Sequence, residues 1–127
     1  MNLYDPISKK VPFLWHGGDY NPEQWPRAVW KEDFRLMREA GISAATVGVF
    51  SWVSLQPSEG QFTFDWLDEI MDGLHENGIH AILATPSAAQ PAWMSQAYPN
   101  MLRSNEHGVR NPHGRRSGRS SCPGALV

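Results

Sequence analysis

The sequence predicts an α/β fold of parallel strands separated by amphipathic helices. Three observations carry this. A charge-free run spans Ile42 to Trp52, two stretches have helical periodicity, and a helix-to-strand junction occurs twice. At the junctions, Glu39-Ala40-Gly41-Ile42-Ser43-Ala44 and Glu76-Asn77-Gly78-Ile79-His80-Ala81 agree at four of six positions, 37 residues apart. A helix–Gly–Ile–strand unit of that length is what a (β/α)8 barrel repeats. A doubly wound sheet produces similar units, but no Gly-rich phosphate fingerprint follows the first apolar stretch.

Taken in order, Val11 to Trp15 is apolar and β-prone and runs into Gly17-Gly18. It reads as a short buried strand followed by a loop. Pro26 suits the first turn of a helix. Trp30, Phe34, Met37 and Gly41 then recur at spacings of four, three and four, while Lys31, Glu32, Arg35 and Arg38 fill the other face. Gly41 fits the left-handed position that ends a helix.

Ile42 to Trp52 lacks any charge, as expected of a parallel strand covered on both faces. Gln56 to Gly60 makes a turn. Asp65 is placed to cap a second helix, with Asp68 completing a box-like arrangement. Leu67, Ile70, Met71 and Leu74 form its apolar stripe and Gly78 ends it. Ile79 to Thr85 is the third strand, closed by Pro86. Beyond Pro86 the chain is irregular and rich in Pro, Gly and Ser.

A full barrel needs about 250 residues. The 127 residues here supply three strands and two to three helices, so the expectation is an incomplete (β/α)8 TIM barrel over residues 1–116. Residues 117–127 show no period and read as an unstructured tail. Five of the eleven Lys and Arg residues follow Leu102, against one acid, Glu106.

Composition excludes several classes. The net charge of −2 singles out no nucleic-acid or membrane partner. No apolar run approaches the roughly 20 residues of a membrane span. The first ten residues hold no apolar core of signal-peptide length, and the lone Cys122 forms no internal disulfide. The expected compartment is the cytoplasm. The five histidines are scattered, and with a single cysteine they give no metal-ligand spacing, so neither a metal nor a cofactor is expected.

Three motifs carry a resemblance. The first is His16-Gly17-Gly18-Asp19-Tyr20-Asn21-Pro22-Glu23-Gln24-Trp25-Pro26. The second is Gly48-Val49-Phe50-Ser51-Trp52 with Leu55-Gln56-Pro57-Ser58-Glu59-Gly60-Gln61-Phe62-Thr63-Phe64-Asp65-Trp66-Leu67-Asp68. The third is Ala84-Thr85-Pro86-Ser87-Ala88-Ala89-Gln90-Pro91-Ala92-Trp93-Met94, then Tyr98-Pro99. In this order and spacing, from about Phe13 to Arg116, the chain resembles the N-terminal part of glycoside hydrolase family 42, the β-galactosidases.

The resemblance implies a (β/α)8 barrel and retaining hydrolysis of terminal β-galactosides. It implies an acid/base and a nucleophile glutamate on later strands, so no catalytic residue is expected in this chain. It also implies homotrimers of the intact protein, with further domains after the barrel. Arg116 matches the family arginine that hydrogen-bonds galactose hydroxyls, a task suited to a guanidinium fork.

Three departures stand out. Gln56 replaces a common acid and Thr46 a common arginine. After His113-Gly114-Arg115-Arg116 the family pattern is abandoned: Ser120 stands where a cysteine is expected and Cys122 is out of register. A reading frame disrupted near residue 117 is the expectation.

Other residues qualify as site candidates. Retaining glycosidases need two carboxyls about 5–5.5 Å apart. Asp19 and Glu23 are the acids near expected strand ends. The structural reading assigns Asp19 a loop hydrogen bond and Glu23 a favourable charge at a helix start. Trp15, Trp52 and Trp93 fall near expected strand ends, where barrel sites form; packing is the alternative role. His16 reads as a hydrogen-bonded structural histidine. Two other functions remain open: a different retaining barrel glycosidase, and a Trp-rich binding module or nucleic-acid-binding tail. The tail lacks interleaved aromatics for base stacking. A three-strand piece also exposes an unpaired third strand, so poor solubility or partner-dependent folding of the isolated chain is expected.

Overall fold

The computed structural model describes residues 8–10 and 12–110. Its elements are β1 (Gly17–Asp19), α1 (Arg27–Glu39), β2 (Ala44–Val47), α2 (Trp52–Leu55), α3 (Asp65–Glu76), β3 (His80–Leu83) and α4 (Ala92–Ala97). Short 3-10 turns cover Pro22–Gln24 and Pro99–Met101. The strands form one parallel sheet in the order β1-β2-β3. Gly17 pairs with Ala44, and Ala44 with His80.

Both helix-to-strand junctions are the same device. Gly41 and Gly78 each have φ of +71°, a left-handed conformation that costs a side chain energy and glycine almost none. Gly41 N–H donates to Arg38 O and Ile42 N–H to Met37 O; Gly78 donates to His75 O and Ile79 to Leu74 O. This pair of bonds, reaching back three and five residues, is the Schellman motif. In each case the isoleucine then packs toward the core beside its hydrogen-bonded partner, Met37 or Leu74.

The core lies between the sheet and the two long helices. Trp30 and Phe34 of α1 meet Leu67, Ile70 and Leu74 of α3 over Ala45 and Val47 of β2. Ile70, Leu74 and Val47 are completely buried. Gly73 of α3 packs directly on α1, since a Cβ there would enter the Phe34 ring. Outside this core, Arg27 pairs with Glu69 across the helices, and Arg35 with Glu32 and Glu39 along α1. These exposed pairs contribute little.

Several boundaries differ from the sequence reading. Pro12–Trp15 form no strand, and the first strand is Gly17–Asp19; Val11 lies outside the described residues. The apolar stretch attracted the reading, but backbone proximity sets the pairing: a Cβ on Gly17 would run into the Ala44 carbonyl. The second strand is shorter, because Gly48 turns the chain at φ +90° and a helical turn, α2, begins at Trp52. The third strand is also shorter, ending at Leu83. Asp65 is the first residue of α3, Phe64 is its cap, and no side-chain cap bond forms among the described residues. Asp65 and Asp68 still place negative charge in the first turn, where the helix dipole favours it. The segment after Pro86 contains a short helix, α4.

Candidate functional site

In parallel α/β barrels the site assembles beyond the carboxyl ends of the strands. Here that face is built by the loops after β1 (residues 20–26), β2 (48–51) and β3 (84–91).

The first loop is fastened to α1. Tyr20 is buried, its N–H donates to Thr46 O at 2.8 Å, and its hydroxyl donates to Asp33 Oδ2 at 2.9 Å. Burial and that carboxylate push the phenol well above its ordinary range. Trp30 Nε1 donates to Pro22 O at 3.0 Å. The turn that carries Asn21 and Glu23 is therefore held at both ends.

Glu23 does not lie at the start of α1. That helix begins at Arg27 behind Pro26, without a side-chain cap bond among the described residues. The Glu23 carboxyl instead points inward. Both its oxygens, with Asn21 Oδ1 and Ser51 Oγ, are buried and make no hydrogen bond of good geometry, although the Ser51 hydroxyl lies close enough to act on the carboxyl. Burial raises the Glu23 carboxyl above its ordinary 4.5, outweighing the opposite pull of its own backbone N–H and the Ser51 hydroxyl. Asp19 differs: it is an exposed strand residue paired in register with Thr46 rather than a loop residue.

Trp52 and Trp93 converge on one residue. Trp52 Nε1 donates to Gln56 Oε1 at 3.0 Å, and Trp93 Nε1 to Gln56 O at 2.9 Å. Both rings are half-buried. Gln56, read from sequence only as a departure, is the acceptor that ties α2 to α4. An acid in its place would present a carboxylate to the same indole.

Trp15 and His16 lie elsewhere. Because the first strand is Gly17–Asp19, both residues sit at its amino end, away from the site face. Trp15 stacks on His80 with ring centres 5.6 Å apart and planes at 14°. His16 Nδ1 approaches Gly41 O at 3.4 Å, and its backbone N–H donates to Ser43 Oγ at 2.8 Å. The structural reading of His16 fits this geometry. Arg116, Cys122 and residues 117–127 lie outside the described residues. Among the described residues no His, Cys, Asp and Glu group could hold a metal. No helix among them is long and apolar enough to cross a membrane.

Asn21, Ser51 and Gln56 were not singled out as functional from sequence. Their signal lay only in their membership of the quoted motifs, since the Trp93 bond to Gln56 and the approach of Ser51 to Glu23 join residues far apart in sequence.

The β-galactosidase family, glycoside hydrolase family 42, matches residues 19–124. β-Galactosidase Pbg of Clostridium perfringens is 53% identical over 119 residues, covering 91% of this chain and 17% of the relative. β-Galactosidase BglY of Alicyclobacillus acidocaldarius is 50% identical over 118 residues, again 91% and 17%. Among solved structures, the β-galactosidase of Rahnella sp. R3 superposes with a TM-score of 0.82 at 51% identity, covering 85% of this chain and 16% of that one. That of Bacillus circulans gives 0.81 at 45% identity, over 87% and 16%. The chain thus spans about one sixth of the length of the relatives it matches. Its three parallel strands and intervening helices are the corresponding part of an α/β barrel. With half of its residues identical to those of named β-galactosidases and the same backbone, the chain belongs to the β-galactosidases of glycoside hydrolase family 42.

Proposed function

We propose that this chain contributes the first strands of a β-galactosidase barrel that hydrolyses terminal non-reducing β-D-galactosides with retention of configuration. The 53% identity to a β-galactosidase over 91% of the chain is the observation that supports this most strongly. On this reading the acid/base and nucleophile glutamates belong to later strands, and the intact protein is a cytoplasmic homotrimer. Residues 1–116 belong to the catalytic barrel, with 117–127 a divergent tail. Arg116 hydrogen-bonds galactose hydroxyls when the barrel around it is complete. The burial of Glu23 supports the same assignment of roles, because a carboxylate closed to solvent cannot reach a sugar.

The test is hydrolysis of a chromogenic β-galactoside by the purified 127-residue chain beside an intact family member. No turnover by the chain alone is expected. Turnover that survives removal of contaminants would place the catalytic carboxylates within these residues and overturn the assignment.

A further inference from the structure

We propose that the outer groove between α1 and α3 is a self-complementary surface that pairs this chain with a second copy about a two-fold axis along the groove. The groove encloses about 1170 Å³, with the buried Trp30 and Phe34 on its floor. Its walls carry opposite charge. Arg27, Lys31, Arg35 and Arg38 line the α1 side, where the acid Glu32 is bonded to Arg35. Asp65, Asp68, Glu69, Asp72 and Glu76 line the α3 side. Each set recurs every three or four residues and so forms one stripe along its helix.

Within its own helix each stripe is unfavourable. Arg27, Lys31 and Arg35 stand four residues apart, as do Asp68, Asp72 and Glu76. Like charges at that spacing repel. The helix dipole favours Asp65 and Asp68 in the first turn of α3 and disfavours Glu76 at its end. Relief across the groove is partial. Arg27 reaches over to Glu69, while Arg35 turns to Glu32 and Glu39 on its own helix. Among the described residues no ion pair engages Lys31, Arg38, Asp68, Asp72 or Glu76.

Topology sets the symmetry. α1 and α3 are successive crossovers packed on one face of a parallel sheet, so they run in the same direction. A two-fold axis along the groove lays the α1 stripe of each copy over the α3 stripe of the other. An axis across the groove sets like charge on like. Arg27 stands level with Glu69, which puts Lys31 level with Asp72 and Arg35 with Glu76. Both copies are then in charge register at once, as an isologous contact requires. Helices of 13 and 12 residues present a patch about 20 Å long and about 20 Å wide. That is about half of the roughly 800 Å² per partner in a standard interface, so the pairing is weak and governed by charge. The groove lies on the outer face of the helices, apart from both sheet edges. A two-fold contact there can coexist with a threefold contact elsewhere. This inference does not depend on the galactosidase reading.

Sedimentation of the full 127-residue chain over a range of concentrations is the test. It is run at about 0.01 M and about 1 M salt, where charges act over about 30 Å and about 3 Å. The expected result is a monomer–dimer equilibrium whose dissociation constant rises roughly tenfold or more at high salt. Lys31→Glu with Arg38→Glu should abolish the dimer, and so should Asp72→Lys with Glu76→Lys. An equimolar mixture of the two variants should dimerise, because each altered stripe then meets its opposite on the other chain. All four side chains are exposed, so neither variant disturbs the core. Should one variant fail to fold, the other and the salt dependence decide. A chain that stays monomeric at low salt overturns the inference. So does association that persists in either variant, or a mixture that sediments as its separate components. So does association that high salt leaves unchanged or strengthens, as pairing through the exposed Ile82 and Leu83 of the β3 edge would give.

Discussion

The two ends of the three-stranded sheet are built differently. At the amino end backbone and ring contacts tie the junctions together. Two identical glycine caps stop the helices, Trp15 stacks on His80, and the His16 N–H donates to Ser43 Oγ while the Ser43 N–H donates to His16 O. At the carboxyl end the loops leave four buried oxygens without a hydrogen bond of good geometry and gather two indoles on one glutamine. In a barrel the first end carries stability and the second carries function. Polar atoms without partners belong where chemistry or neighbouring segments will use them.

Substitutions sharpen this contrast. The largest effect is expected at the amino end. Gly17→Val forces a side chain into the Ala44 carbonyl and should lower stability by about 3 kcal/mol, read from urea unfolding. A midpoint unchanged from the parent would mean that the β1–β2 pairing is not tight. Next comes Gln56→Ala at the carboxyl end. It strands the Trp52 indole N–H and leaves Trp93 its backbone acceptor, for about 1–2 kcal/mol. Trp fluorescence should report one loosened ring rather than two. Smallest is Gly78→Ala, where φ of +71° strains the alanine by about 1 kcal/mol. Gly41→Ala should match it in a parallel melt, because the two caps are copies. A large inequality between them would break the equivalence of the two units.

What the sequence made legible follows the same division. α1 and α3, and the glycines that end them, could be read because helical periodicity and a left-handed stop are local signals. The Gly-Gly-Asp of β1 gave no hydrophobic signal, and the apolar Pro12–Trp15 drew the strand several residues too early. That error placed Trp15 and His16 at the wrong end of the sheet. The helical turns α2 and α4 are too short to show a period. The approach of Ser51 to Glu23 could not be read at all, because the sheet brings their loops together across about 28 residues of sequence.

The paired caps also bear on how the chain acquires its shape. Each Gly–Ile step ends one helix and starts the next strand using bonds that reach back no more than five residues. Every strand after the first therefore receives its starting point from the helix just before it. Pairing between adjacent strands then joins segments only about 36 residues apart, as Ala44 and His80 are. Each strand therefore adds by closing one loop of that size, and the sheet grows strand by strand rather than through a single longer closure. Synthesis from the N-terminus would present these units in order, each able to dock on the last once its glycine emerges.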